Sequence, residues 1–220
     1  MRPWLSELFF FDDLVPHGAP LNMAIDEALL GGIPGPVLRV YRWERPAVSF
    51  GYFERWAPIR LAHPDREPVR RWTGGGIVLH GEDLTYSLLI PSAAGLGRPP
   101  VDTYALIHGA LCAALADAGI PAATASVSVE KISEACFENP VRHDVLVGGK
   151  KVAGAAQRRT RAGLIHQGSI QSLVLPADFG LTFTTRLAAQ VREACFDVIA
   201  AAETLAAEKY GTAAWLAKRL

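Results

Sequence analysis

Three consecutive glycines, Gly74-Gly75-Gly76, stand between a pair of arginines and two strand-like runs, and few architectures can use that order. Arg70-Arg71-Trp72-Thr73 leads in. Ile77-Val78-Leu79 and Leu84 to Ile90 follow as alternating apolar runs, joined by a polar turn from His80 to Asp83. Glycine lacks a Cβ, so such a turn can take positive φ and let a ligand lie against bare backbone amides. An isolated triple glycine would be read better as a mobile hairpin loop, and it is the rest of the chain that shifts the choice.

A chain of 220 residues can bury a sizeable core. Half of its residues are hydrophobic and its formal net charge is zero, which argues for a compact protein without the field that nucleic acid binding needs. No run reaches the roughly 18 apolar residues of a membrane span, and Met1-Arg2-Pro3-Trp4 followed by Asp12-Asp13 lacks a signal-peptide layout. A cytoplasmic protein with neither nucleic acid nor membrane as a partner is expected. Cys112, Cys136 and Cys195 are odd in number, widely spaced and without a CxxC pair, so no disulfide framework and no metal site is suggested.

Residues 19–30 place Leu21, Met23, Ala24, Ile25, Ala28 and Leu29 at helical spacing before Gly31-Gly32, with Asn22, Asp26 and Glu27 on the polar side. Val37 to Trp43 and Ala47 to Tyr52 alternate like strands about an Arg45-Pro46 turn, in outline an antiparallel hairpin. Residues 58–63 read as a short helix and Val69 to Trp72 as the strand entering the glycine turn. The clearest helix runs from Asp102 to Ala118 and stops at Gly119, with Cys112 on its apolar face. Residues 122–131 are β-prone, Asp144 to Val147 and Lys151 to Ala156 flank a Gly148-Gly149 hairpin turn, and Leu164 to Leu173 forms a further strand. Alanine-rich residues 185–220 predict two helices broken near Gly211, the first carrying Cys195. With no repeat and no linker, residues 1–220 read as one α+β domain: a mostly antiparallel sheet with helices packed against it.

Three segments together carry a resemblance. Asn22-Met23-Ala24-Ile25-Asp26-Glu27-Ala28-Leu29, the block from Arg70 to Ser87, and Gly149 to Gln157 followed by His166-Gln167-Gly168-Ser169-Ile170 resemble the signature blocks of the lipoate-protein ligase and octanoyltransferase family. Leu38 to Trp43 and Pro46 to Tyr52 resemble its early hairpin. The likeness covers roughly residues 10–175 and implies the antiparallel-sheet fold shared with biotin-protein ligases. It implies an enzyme that handles an acyl chain and delivers it to the lysine of a carrier domain.

In that family the glycine block packs along the acyl chain and its activated carboxyl group. The resemblance therefore makes Arg70, Arg71, Gly74, Gly75, Gly76 and His80 candidates for substrate binding, together with Gly154 and Ala155. Lys151 enters a small, apolar strand where a lysine is costly to bury unless paired or bound to a ligand oxygen. The family's lysine at this place contacts the acyl carbonyl, and Lys151 matches it better than Lys150.

Ala135-Cys136-Phe137-Glu138 resembles the Cys-Phe-Glu segment of the octanoyltransferase branch found in Gram-positive bacteria, which passes the acyl group through a cysteine thioester. That branch shows Gln-His-Gly where this chain has His166-Gln167-Gly168, so His166 reads instead as a core or edge histidine.

The resemblance implies octanoyl transfer from acyl carrier protein through Cys136 and Lys151, in protein lipoylation, without a cofactor. The acceptors would be lipoyl domains of 2-oxoacid dehydrogenase E2 subunits or the glycine cleavage H protein. Two alternatives stand beside it. One is an ATP-dependent lipoate ligase that needs no thiol, and the other is a non-catalytic acyl or carrier-domain binder that has kept the slot.

Overall fold

The computed structural model describes residues 3–95, 98–126 and 141–218. In chain order the elements are β1 (Leu5–His17), α1 (Ala19–Gly32), β2 (Val37–Trp43), β3 (Ala47–Phe50), α2 (Trp56–Ala62), β4 (Glu67–Arg70), β5 (Ile77–His80) and β6 (Leu84–Pro91). There follow α3 (Pro100–Asp117), β7 (Ala123–Thr124), β8 (Val145–Val147), β9 (Lys150–Arg159), β10 (Gly163–Ile170), α4 (Phe179–Leu187), β11 (Ala188–Glu193), α5 (Ile199–Leu205) and α6 (Ala213–Leu216).

Among the described residues these strands form an eight-stranded sheet, β11-β1-β2-β6-β10-β9-β8-β7, and a smaller one, β4-β3-β5. Pairing is antiparallel from β2 onward in the large sheet, while β1 runs parallel to both β2 and β11. The expected α+β class with a mostly antiparallel sheet is what the chain adopts.

Strand alternation assigns the two faces of the large sheet. Leu38 and Val40 of β2 join Tyr86, Leu88 and Ile90 of β6 and pack against Ile107, Leu111 and Leu115 of α3 and Phe179 and Phe183 of α4. Val37, Tyr41 and Trp43 face the other way, joining Leu89 and Ile165 against Met23, Ile25 and Leu29 of α1. A sheet covered on both sides explains why six of the seven β2 residues are buried.

Several expectations fail, each for a non-local reason. Ala47 to Tyr52 does not fold back on β2, because β3 leaves for the small sheet and pairs with β4 and β5. The turn at His80 to Asp83 likewise passes from one sheet to the other. Residues 188–193 are not helical: they add a strand beside β1, and Cys195 is exposed in the following loop. Asn22 and Asp26 are not a solvated helix face, since both are fully buried and hold Arg39, which donates to Asn22 Oδ1 at 2.7 Å and to Asp26 Oδ1 at 2.8 Å. Cys112 lies half-buried on α3, as its apolar neighbours predict.

Candidate active site

A narrow slot of about 40 Å³, partly open to solvent, lies between the two sheets on the α1 side of the larger one. Met23, Tyr41, Trp43, Thr85 and Gln167 supply one wall, Gly75, Val78 and His80 a second, and Gly154-Ala155-Ala156 a third. Most of that lining is apolar or backbone, as an alkyl chain requires.

The glycine block forms its wall through close backbone contact. A Cβ on Gly51 would stand 1.8 Å from the carbonyl oxygen of Gly75, so the β3 end and the glycine loop approach as only two bare backbones can. Gly75 itself has φ of 86°.

Arg71 fastens this loop. Its Nη2 donates to the carbonyls of Gly74 at 3.1 Å and Gly76 at 2.8 Å, while Nη1 donates to Ser49 Oγ at 2.7 Å. Arg70 points away from the slot. Its guanidinium donates to the carbonyls of Tyr52, Glu54, Trp215 and Leu216 at 2.6–2.9 Å and lies over the Phe50 ring. The two adjacent arginines therefore do different work: one borders the slot and the other clamps a distant segment to β4.

Lys151 owes its direction to a β-bulge. Between β8 and β9 the register steps from Val145 opposite Ala153 to Leu146 opposite Lys151, so β9 carries one extra residue there. The lysine turns inward and lies across Gly154, where a Cβ would stand 2.6 Å from Lys151 Cε and 2.8 Å from Nζ. Its ammonium meets Asp144 Oδ2 at 2.7 Å, with both side chains at least 98% buried.

Asp144 is itself held. Tyr104 Oη donates to its Oδ1 at 2.6 Å, and the Val141 amide donates to Oδ2 at 2.8 Å. Tyr104 Oη also accepts from the Ala155 amide at 3.0 Å, which ties the cluster to the slot wall. The ammonium of Lys151, held beside Asp144 behind Gly154, places positive charge next to the slot wall.

Cys136 lies outside the described residues, as does part of the β-prone run that precedes it. His166 is a core residue, 0% exposed, ringed by Tyr86, Tyr104 and His108, with Nδ1 lacking a hydrogen-bond partner among the described residues. Burial, and then the neighbouring His108, push it well below the usual histidine range.

Sequence reading missed Ser49, Gln167, Asp26 and Asp83. Gln167 accepts from Thr73 Oγ1 at 2.8 Å and donates to Asp26 Oδ2 at 2.7 Å, carrying the Arg39 network to the slot wall. Asp83 Oδ2 accepts from His80 Nδ1 at 2.7 Å, and His80 Nε2 meets Ser49 Oγ at 2.6 Å. The signal available for these was polar residues within apolar strands, which must be paired wherever they are buried.

Residues 19–188 match the lipoyl protein ligase A/B catalytic domain. The chain is 36% identical over 184 residues to octanoyltransferase LipM of Symbiobacterium thermophilum and 37% identical over 177 residues to that of Oceanobacillus iheyensis. Those alignments cover 74% and 76% of this chain, which spans 64% of the length of either relative.

Among solved structures, a T. acidophilum protein described as a lipoate protein ligase, with bound lipoic acid, superposes with a TM-score of 0.73 at 20% identity. Lipoate-protein ligase A bound with ATP gives 0.70 at 20%. Each likeness covers 98% of this chain and 100% of the other, and shows the fold. With the fold shared and three quarters of the sequence matched, the chain belongs to the lipoyl protein ligase A/B catalytic domain family.

Proposed function

We propose that this chain is a single-domain, cytoplasmic octanoyltransferase that takes an octanoyl group from acyl carrier protein and passes it to the lysine of a lipoyl domain. The observation that carries this reading is the apolar slot with Lys151 fixed behind its Gly154-Ala155 wall: a place for a short alkyl chain with positive charge beside one wall. The relatives named octanoyltransferase LipM and the Cys-Phe-Glu segment at Cys136 support the transferase over other members of the family.

In this mechanism the Cys136 thiolate attacks the thioester carbonyl of the donor, the new C–S bond forms as the donor's C–S bond breaks, and the carrier thiolate leaves and takes a proton from solvent. The Lys151 ammonium, oriented by Asp144, stabilises the oxyanion of each tetrahedral intermediate and favours the Cys136 thiolate. The neutral acceptor amine then attacks the acyl-enzyme: the C–N bond forms, the C–S bond to Cys136 breaks, the nitrogen gives up one proton to solvent, and the Cys136 thiolate is returned. Gly74, Gly75, Gly76, Gly154 and Ala155 line the path of the chain, and Arg71 and His80 hold the glycine wall.

The protein is offered octanoyl-carrier thioester, or lipoate with ATP, together with an apo lipoyl domain. Transfer from the thioester, an octanoyl adduct on the intact protein by mass spectrometry, and loss of both in Cys136→Ala are expected. Undiminished transfer by Cys136→Ala sinks the mechanism. ATP-dependent lipoate turnover would identify a ligase, and binding without turnover a carrier-domain binder.

A further inference from the structure

We propose that Asp83, His80 and Ser49 form a one-way hydrogen-bond relay that positions Arg71 and, through it, the glycine wall of the slot. Ser49 and Asp83 are then positioning residues that set affinity for the acyl chain without touching the reacting carbonyl. The functional consequence rests on the acyl-transfer reading above.

The chemistry of the partners gives the relay its direction. Asp83 Oδ2 accepts from His80 Nδ1, from Thr85 Oγ1 at 2.8 Å and from Ser169 Oγ at 2.7 Å, and Oδ1 accepts from the Gly81 amide at 3.0 Å. Burial alone would raise the pKa of Asp83, but the hydrogen bonds from His80, Ser169 and the Gly81 amide act the other way, and the carboxyl is ionised at neutral pH. An ionised carboxylate only accepts, so the His80 proton sits on Nδ1.

Burial lowers the pKa of His80, with Arg71 and Arg66 adding to the effect and Asp83 opposing it, so the ring is neutral and Nε2 is a bare acceptor. The Ser49 hydroxyl must therefore donate to Nε2, which leaves its lone pairs toward Arg71 Nη1. Arg71, held at one nitrogen by Ser49, presents the other to the carbonyls of Gly74 and Gly76.

Ser-His-Asp in hydrogen-bonded sequence is also the arrangement of a serine nucleophile. Three features argue against that use. Ser49 borders the slot but its surface is fully covered, Arg71 already occupies its oxygen, and the indole of Trp43 stacks on His80 with ring centroids 4.0 Å apart. A nucleophile needs an open line to the carbonyl, whereas a buttress needs to be enclosed.

The test has one arm that requires no turnover. Nitrogen-15 spectroscopy of the wild-type imidazoles should show His80 as the Nδ1–H tautomer; an Nε2–H tautomer overturns the relay. In the transfer assay, Ser49→Ala should raise KM for the octanoyl donor about tenfold, the effect of one lost hydrogen bond to a charged group. Its kcat should stay within about threefold of wild type, and Ser49→Thr, which keeps the hydroxyl, should restore KM. Unchanged KM in Ser49→Ala, or an octanoyl ester on Ser49 in Cys136→Ala protein, overturns the proposal. Should the wild type transfer nothing, the function fails while the relay is still tested, by the tautomer and by the roughly tenfold weaker octanoate binding expected of Ser49→Ala in calorimetry.

Discussion

Adding one methyl group at Gly154 would separate the chemistry of the site from its stability. In Gly154→Ala the new Cβ stands 2.6 Å from Lys151 Cε, 2.8 Å from Nζ and 3.3 Å from Asp144 Oδ1. Ordinary carbon contacts begin near ~3.5 Å, so the end of the lysine must retreat by about 1 Å. Because what moves is the tip of a long side chain and not backbone, the fold should lose only about 1–2 kcal/mol, near the low end for overpacking. For a chain of this size that is a fall in Tm of roughly 2–8 °C.

The ammonium, however, is displaced from where an oxyanion would meet it. A misplacement of about 1 Å in a positioned group costs on the order of 100-fold in rate, close to the loss from deleting one oxyanion donor. Measured as octanoyl transfer to an apo lipoyl domain, kcat should fall about 100-fold while a thermal melt moves by those few degrees. Wild-type kcat in a folded Gly154→Ala protein would refute the role given to Lys151. A collapse of Tm with kcat preserved would refute the packing.

Acid should destabilise the protein before its carboxylates are protonated. His80, His108 and His166 all have folded pKa values below the ordinary value of 6.5, chiefly through burial, so the unfolded chain binds more protons and stability present above that value is lost as pH falls. His108 alone, pushed down to about 4, accounts for about 3 kcal/mol between pH 6.5 and 4; a flat urea midpoint across that window would contradict the burial of these rings. Arg70→Ala removes four guanidinium–carbonyl bonds remote from the slot, and should lower stability by about 3 kcal/mol, or Tm by roughly 10 °C, with KM for the donor within about twofold of wild type. A large rise in KM at unchanged Tm would instead put Arg70 on the acyl chain.

What could be read from the residues was whatever is encoded locally. The α1 periodicity, the alternation of Val37 to Trp43 and the Gly148-Gly149 hairpin, with φ of 56° and 81°, each depend on a few neighbours and came out as expected. Sheet membership does not work that way. Whether β3 pairs with β2 or leaves for β4 and β5 is decided by partners as far away as His80 is from Ala47, and Ala188 to Glu193 is strand only because β1 offers it an edge.

The same limit applied at the site. Alternation puts Arg70 and Arg71 on opposite faces, but nothing local says which face meets the slot. Ser49 looked like any polar residue in a strand, because its partners His80 and Arg71 arrive from another strand and a loop.

The clamp on Arg70 also has a kinetic meaning. Its carbonyl partners at Trp215 and Leu216 are synthesised some 145 residues after it, and β1 must wait for β11, pairing Leu5 with Ala188. Contacts of such long sequence separation form late, after the loop-closure entropy between them has been overcome. While a nascent chain emerges, the outer edge of β1 stays open, as a template on which other strands can add. The glycine wall, fastened by Arg71 to Gly74, Gly76 and Ser49 close by in sequence, can form before that clamp closes.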